Sequence, residues 1–331
     1  MNEKKLICPD CHDSITRRDF VRAVGGAALA TGAVPLLATP QIAQAAPTPE
    51  SAAETTVKRF YDSLTEPQKK VICFDFDHKL QHKIHANWQV TEPVIEDDFY
   101  SSEQRKLVED IFRCVTSEDG YKRFQKQMED DAGGFGQYSV AMFGQPGTGK
   151  FEWLMTGRHL TIRADGDSAE NMAFGGPIIY GHGEQENLKK NLFLYQTQKA
   201  NEVFGALDTK QRKAALLPIA PQENKVPIQG QEGTFPGISV GWLSSDQQEL
   251  VESVIKVILA PYRKEDVDEA LALLKVGGGF EKLHMAFYQQ DDIQSDKVWD
   301  VWRVEGPTFV WHFRGAPHVH TYINIGKKPK R

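Results

Sequence analysis

The sequence predicts an α+β fold built from two related halves. Three observations carry that reading. A helix-start signal, Ser, Thr or Asp followed three residues later by Gln, occurs at Thr65–Gln68, Ser101–Gln104, Asp208–Gln211 and Ser244–Gln247. In such a capping box each side chain satisfies the other residue's free backbone N–H. Two β-hairpin signals, 151–163 and 298–313, each follow a pair of these starts. The parts recur in the same order, which points to an internal duplication, and segregated helices and antiparallel strands define the α+β class.

Residues 1–45 read as a twin-arginine signal peptide. Arg17 and Arg18 are followed by an apolar stretch from Ala23 to Ala38, then by Ala43, Gln44 and Ala45, a small-x-small cleavage pattern. The expected partner is the twin-arginine translocase, and the expected location is periplasmic or otherwise extracytoplasmic. Cys8, Cys11 and His12 match the C-x-x-C-H haem-attachment pattern. They precede the arginine pair, so cleavage removes them before haem could be attached, and no haem is expected. Residues 46–56, rich in Ala, Pro, Thr and Glu, read as a linker.

The first α+β half is expected over 57–165. It holds two capped helices, a short apolar run at 71–74, and a hairpin in which Phe151 to Met155 turns into His159 to Arg163. Residues 166–198, Gly-rich and then polar, read as a connecting loop with a short helix near Leu188 to Tyr195. The second half, 199–326, repeats the two capped starts, adds a helix near Asp266 to Lys275, and ends in a hairpin turning at Glu305, Gly306 and Pro307. The halves are expected to pack around a shared or paired sheet.

Net charge is −6, and residues 1–45 carry five basic against four acidic side chains, so the remaining ~286 residues sit near −7. That balance argues against a nucleic-acid partner, which needs a basic surface. No other apolar run reaches membrane-spanning length, so no stable span is expected. Cys73 and Cys114 remain after cleavage, as a disulfide or as two buried thiols.

Two motifs fail on their own chemistry. Gly144 to Lys150 approaches a phosphate-binding loop, but Phe151 stands where the metal-binding hydroxyl belongs and a strand follows. Asp75 and Asp77 resemble a phosphatase pair, but Lys79 breaks the pattern.

The histidines carry the remaining chemistry. His318 and His320 alternate on a strand and therefore face one side. His312 lies on the preceding strand, and His159 in the corresponding hairpin of the other half. These four form a candidate metal site for zinc, copper or iron. Cupin and binuclear-hydrolase patterns fail for want of a following carboxylate or Asp-His pair. His182 and Glu184, flanking Gly183 in the middle loop, form a second candidate. His78, His82 and His85 read as a solvated face.

Seven stretches occur in a familiar order: Phe74 to Asp77, Asn87-Trp88, Ser102 to Arg105, Tyr138 to Gly144, Gly157 to Leu160, Glu305 to Thr308, and His318 to Thr321. Together they resemble the exported bacterial proteins grouped as domain-of-unknown-function family 3500, over nearly all of the chain beyond the signal. That family commonly has Gly-His-His-Leu where this chain has Gly157-Arg158-His159-Leu160, so only His159 carries over. It tends to have Glu near the position of His312. The resemblance implies no particular reaction. The functional expectation is a metal-dependent, hydrolase-type enzyme acting on a small molecule. The alternative is a non-catalytic exported binding or envelope-associated protein.

Overall fold

The computed structural model describes residues 45–185 and 188–328. The expected signal peptide, with Arg17, Arg18 and the Cys8–His12 motif, lies outside the described residues. Among these, eight α-helices pack on a mixed sheet of eleven strands.

Four of the eight helices begin where the boxes predict. The eight are α1 (Ala52–Ser63), α2 (Glu66–Ile72), α3 (Ser102–Cys114) and α4 (Glu118–Ala132), then α5 (Leu194–Ala206), α6 (Thr209–Ala215), α7 (Ser245–Leu259) and α8 (Lys264–Val276). All four capping boxes form, at Thr65, Ser101, Asp208 and Ser244. Each box also reaches a second one. Gln68 and Gln104 donate to each other's amide oxygens at 2.9 and 3.0 Å. Gln211 and Gln247 do the same at 2.9 and 2.8 Å. Glu would complete a capping box equally well, but a carboxylate has no N–H for the second exchange. The cross-link explains why all four boxes end in Gln.

The strands are β1 (Cys73–Phe74), β2 (Ser139–Gly144), β3 (Phe151–Gly157), β4 (Leu160–Ala164), β5 (Ile178–His182), β6 (Leu216–Leu217), β7 (Ile238–Ser239), β8 (His284–Tyr288), β9 (Val301–Gly306), β10 (Phe309–Arg314) and β11 (Val319–Ile325). Their spatial order is β1-β2-β3-β4-β5-β11-β10-β9-β8-β6, with β7 on β8. The outer pairs β1–β2 and β6–β8 are parallel, and the others antiparallel. The order reads the same from either edge, so α1 to β5 and α5 to β11 are two copies of one unit. Tyr180 pairs with Leu160 after one hairpin, and Ile325 with Phe309 after the other. Ile178 and Ile323 are therefore equivalent, and they pair directly with each other. A local two-fold passes between them.

One face of the sheet packs on the helices. Trp153, Met155, Tyr180, Trp311 and Ile323 bury against helix residues such as Phe60, Phe112, Phe124, Val254 and Leu271. The other face is covered by the segments 75–100 and 218–237. There Trp88 and Val90 pack on Phe143 and Leu154, and Ala86 and Val226 on Ile179, Val310 and Tyr322.

Two expected boundaries are corrected. The stretch 166–198 is not one connecting loop, because it contains β5, buried along its whole length at the centre of the sheet. Flanking glycine, proline and histidine hide so short an apolar run. Nor is 46–56 a free linker. The first helix starts at Ala52, and buried Glu54 accepts two hydrogen bonds from Arg263 at 2.7 and 2.9 Å. Arg263 also holds Asp266 at 2.9 Å, so the start of one half is tied to the last helix of the other. Both hairpins form as expected, with two-residue turns at Arg158-His159 and Pro307-Thr308. Cys73 and Cys114 are both half-buried thiols.

Two outcomes test this account. Gln104→Glu strips Gln68 and the Ser63 carbonyl of their donor. It should cost roughly 1–3 kcal/mol in urea denaturation, and Gln247→Glu in the more exposed pair should cost less. Burial near Glu152, Glu54 and Asp266 pushes the Asp165 carboxyl up to about 8. Between the ordinary carboxylate range and that value the folded state holds a proton the unfolded state lacks, so stability falls as pH rises. Asp165→Asn should flatten the decline of the urea midpoint between pH 5 and 9. Equal slopes would contradict the assignment.

Candidate metal centre

Three of the four expected histidines meet at one end of the central sheet. His159 is the second residue of the β3–β4 turn and takes a positive φ of 58°. The turn is held from both sides. The His159 N–H donates to the Ala86 carbonyl at 2.7 Å, and the Arg158 carbonyl accepts from Tyr138 Oη at 2.5 Å and Gln127 Nε2 at 3.1 Å. His320 lies in β11, with His318 just before it on the same face. The register sets His320 against Gly181 of β5. A side chain at 181 would meet the Val319 carbonyl and crowd His159 Cβ, so glycine lets the hairpin tip close over the strand pair.

The His318 and His320 Nε2 atoms are 2.9 Å apart, and one nitrogen from each of the three rings lies within 4.8 Å of the others. The ring centroids are 4.6 to 4.9 Å apart. The side chains of His159 and His320 are 4% and 13% exposed, and His318 is half-buried, so the group opens on the His318 side.

Two rings are oriented by carboxylates. His159 Nδ1 contacts Asp131 Oδ2 at 2.8 Å. Asp131 also accepts from Gln127 at 2.7 Å and from the Gly183 N–H at 2.7 Å. His320 Nδ1 contacts Glu223 Oε1 at 3.0 Å, and the same oxygen accepts from the Tyr322 hydroxyl at 3.1 Å. Arg314 pairs with Glu223 at 3.0 Å and donates to the His318 carbonyl at 3.2 Å. A carboxylate accepts, so each Nδ1 carries the proton and each Nε2 turns a lone pair inward. In the short contact between the two Nε2 atoms, His318 is then the donor.

The electrostatics favour neutral rings at His318 and His320. Burial, then the neighbouring His320 and His159, hold His318 down at about 4. Burial likewise lowers His320. Burial alone would raise Glu223, but the bond from His320 and the charge of Arg314 bring it down to about 2. Asp131 also ends below the usual range, as bonds from His159 and Gln127 outweigh its burial. Asp130 and Asp131 occupy the last turn of α4, where the helix carbonyls disfavour a carboxylate by roughly 0.3–1 kcal/mol. That local penalty is tolerated where Asp131 orients His159.

His312 is corrected out of the group. It pairs with Tyr322, and Arg314 takes the place opposite His320. Its ring therefore lies one pair further along the same face, fully buried beside Arg303, where burial pushes it down to about 3 and its Nδ1 has no partner. His182, at the end of β5, also stays outside. Its Nδ1 accepts from the Leu192 N–H at 3.2 Å, which leaves Nε2–H for Asp130 at 3.3 Å. Glu184 lies beside it, lining a cleft of about 310 Å³ with Asp130, Asp131, Arg158, Gly183 and Gln185.

Sequence reasoning missed Asp131, Glu223 and Arg314. Asp131 had a weak signal, three acids in a row (Glu129, Asp130, Asp131) just before the Gly133-Gly134 helix stop. Glu223 had none, since it is 97 residues from the histidine it orients.

No curated protein and no solved structure matches the chain. The family model described as protein of unknown function (DUF3500) matches residues 46–325. The chain therefore belongs to that family.

Proposed function

We propose that the protein is an exported metal-dependent enzyme of hydrolase type, with His159, His318 and His320 as ligands of one divalent transition ion. One observation carries the reading. Two of the three rings commit their outer nitrogens to carboxylates, which aims their Nε2 lone pairs at a common point.

The spacing fits. A tetrahedral ion with bonds of 2.0–2.1 Å needs ligating nitrogens about 3.3 Å apart. The contacts here, from 2.9 Å up to 4.8 Å, bracket that value. Transfer of the His318 proton from Nε2 to Nδ1 leaves that ring neutral and frees both nitrogens of the close pair. Three neutral imidazoles with an open side match a catalytic zinc site better than a closed structural one, and copper or iron would also accept them. Such an ion supplies Lewis acidity and activates water. The chain's own residues supply geometry. Asp131 and Glu223 fix the tautomers, Gly181 makes room for the tip, and Arg314 balances Glu223.

Export through the twin-arginine translocase to the periplasm rests on the sequence of residues 1–45 and is part of the proposal. Among the described residues no helix is long and apolar enough to cross a membrane.

Elemental analysis tests the centre. Wild type should carry about one equivalent of metal, and the His318→Ala/His320→Ala variant none. Wild type that takes up neither zinc, copper nor iron would overturn the reading. Asp131→Asn and Glu223→Gln should remain folded and lose roughly 10- to 100-fold in zinc affinity. Zinc-dependent hydrolysis of p-nitrophenyl esters and phosphates separates the two functional readings. Metal uptake with no turnover would favour the binding protein.

A further inference from the structure

The centre has a neighbour that its own architecture does not use. Arg158 and His159 are the two residues of one turn, so their side chains leave adjacent Cα atoms. The Arg158 backbone is fixed by Tyr138 and Gln127, and by a bridge to Asn87. Its guanidinium is exposed and, among the described residues, makes no ion pair or hydrogen bond. It reaches across Gly183, where a Cβ would stand 3.3 Å from its Nη2.

The acids of the same cleft are mostly committed elsewhere. Asp131 serves His159, Gln127 and Gly183. Asp130 is paired with Lys126 and with His182. Among the described acids that line the cleft, Glu184 alone stands open. On the far side Arg314 is held by Glu223 and the His318 carbonyl, so two of its nitrogens are already engaged. A divalent ion among the histidines, with Arg158 and Arg314 around it, outweighs the charges of Asp131 and Glu223. The loaded site is net positive, with an unpaired planar donor on the residue next to His159. A guanidinium in that setting binds an oxyanion through paired N–H bonds.

We propose that Arg158 and the three-histidine centre together recognise an oxyanion, so that the substrate is a small molecule bearing a phosphate or carboxylate group. This rests on the metal reading above and adds the substrate class to it. Arg158 acts by binding and orienting the anion.

The test uses zinc-loaded protein and inorganic phosphate as probe, read by titration calorimetry, with acetate in a parallel arm to separate the two anion sources. Wild type should bind at least one of the two anions. Arg158→Gln should weaken that binding roughly tenfold or more, with zinc stoichiometry unchanged, and Arg158→Lys should recover part of it. Failure of wild type to take up zinc would sink the centre and this inference together. Zinc uptake with no anion binding, or with binding indifferent to Arg158, would overturn this inference alone and leave the centre standing.

Discussion

The molecule depends on one seam, the antiparallel pairing of β5 with β11. Each half contributes one strand to it, and Ile178 and Ile323 meet across the local two-fold. The seam joins a five-stranded array and a six-stranded one into a single sheet and gives the helices one surface to cover. It also builds the site. His318 and His320 belong to the second half and His159 to the first, and only this register places all three at one end of the strand pair. A slip of one residue would turn the β11 histidine from the loop side of the sheet to the helix side. Gly181 and the fixed β3–β4 turn then bring His159 down onto the seam.

The two halves present two equivalent corners, and the histidine group occupies one. Opposite His159 in the other hairpin is Thr308, which donates to the Leu273 carbonyl of α8. Counting back from the paired-glycine helix stops, Val276 stands where Asp131 does, and Lys327 occupies the place of His182. Burying a polar group without partners costs free energy, so a second copy of the network would be a burden unless it were used. The equivalent corner holds an ordinary packing contact and an ordinary helix end. The acid-rich end of α4, which breaks the dipole preference, is found where a histidine is there to receive it.

Much of the scaffold was legible in the residues because its signals are local. A capping box spans four residues, and a tight hairpin about a dozen. The His-x-His pair was legible for the same reason, since alternation on a strand is a local fact. What failed was non-local. The strand β5 is short, and only its partners make it a strand. Glu54 looks like part of a polar tail until Arg263, in the other half, is placed beside it. Its place on the neighbouring strand puts His312 with the site in the sequence, and register sets it one pair away. Asp131 and Glu223 orient histidines 28 and 97 residues distant, a relation that periodicity cannot express.

The central claim is that one ion is shared between the halves across this seam. X-ray absorption at the zinc edge of the loaded protein addresses it directly. The account predicts a shell of three imidazole nitrogens and light-atom ligands without sulfur. It also predicts that His159→Ala, from the first half, and His320→Ala, from the second, each remove one imidazole from that shell or abolish binding. A zinc spectrum that neither substitution alters would place the ion elsewhere and contradict the account.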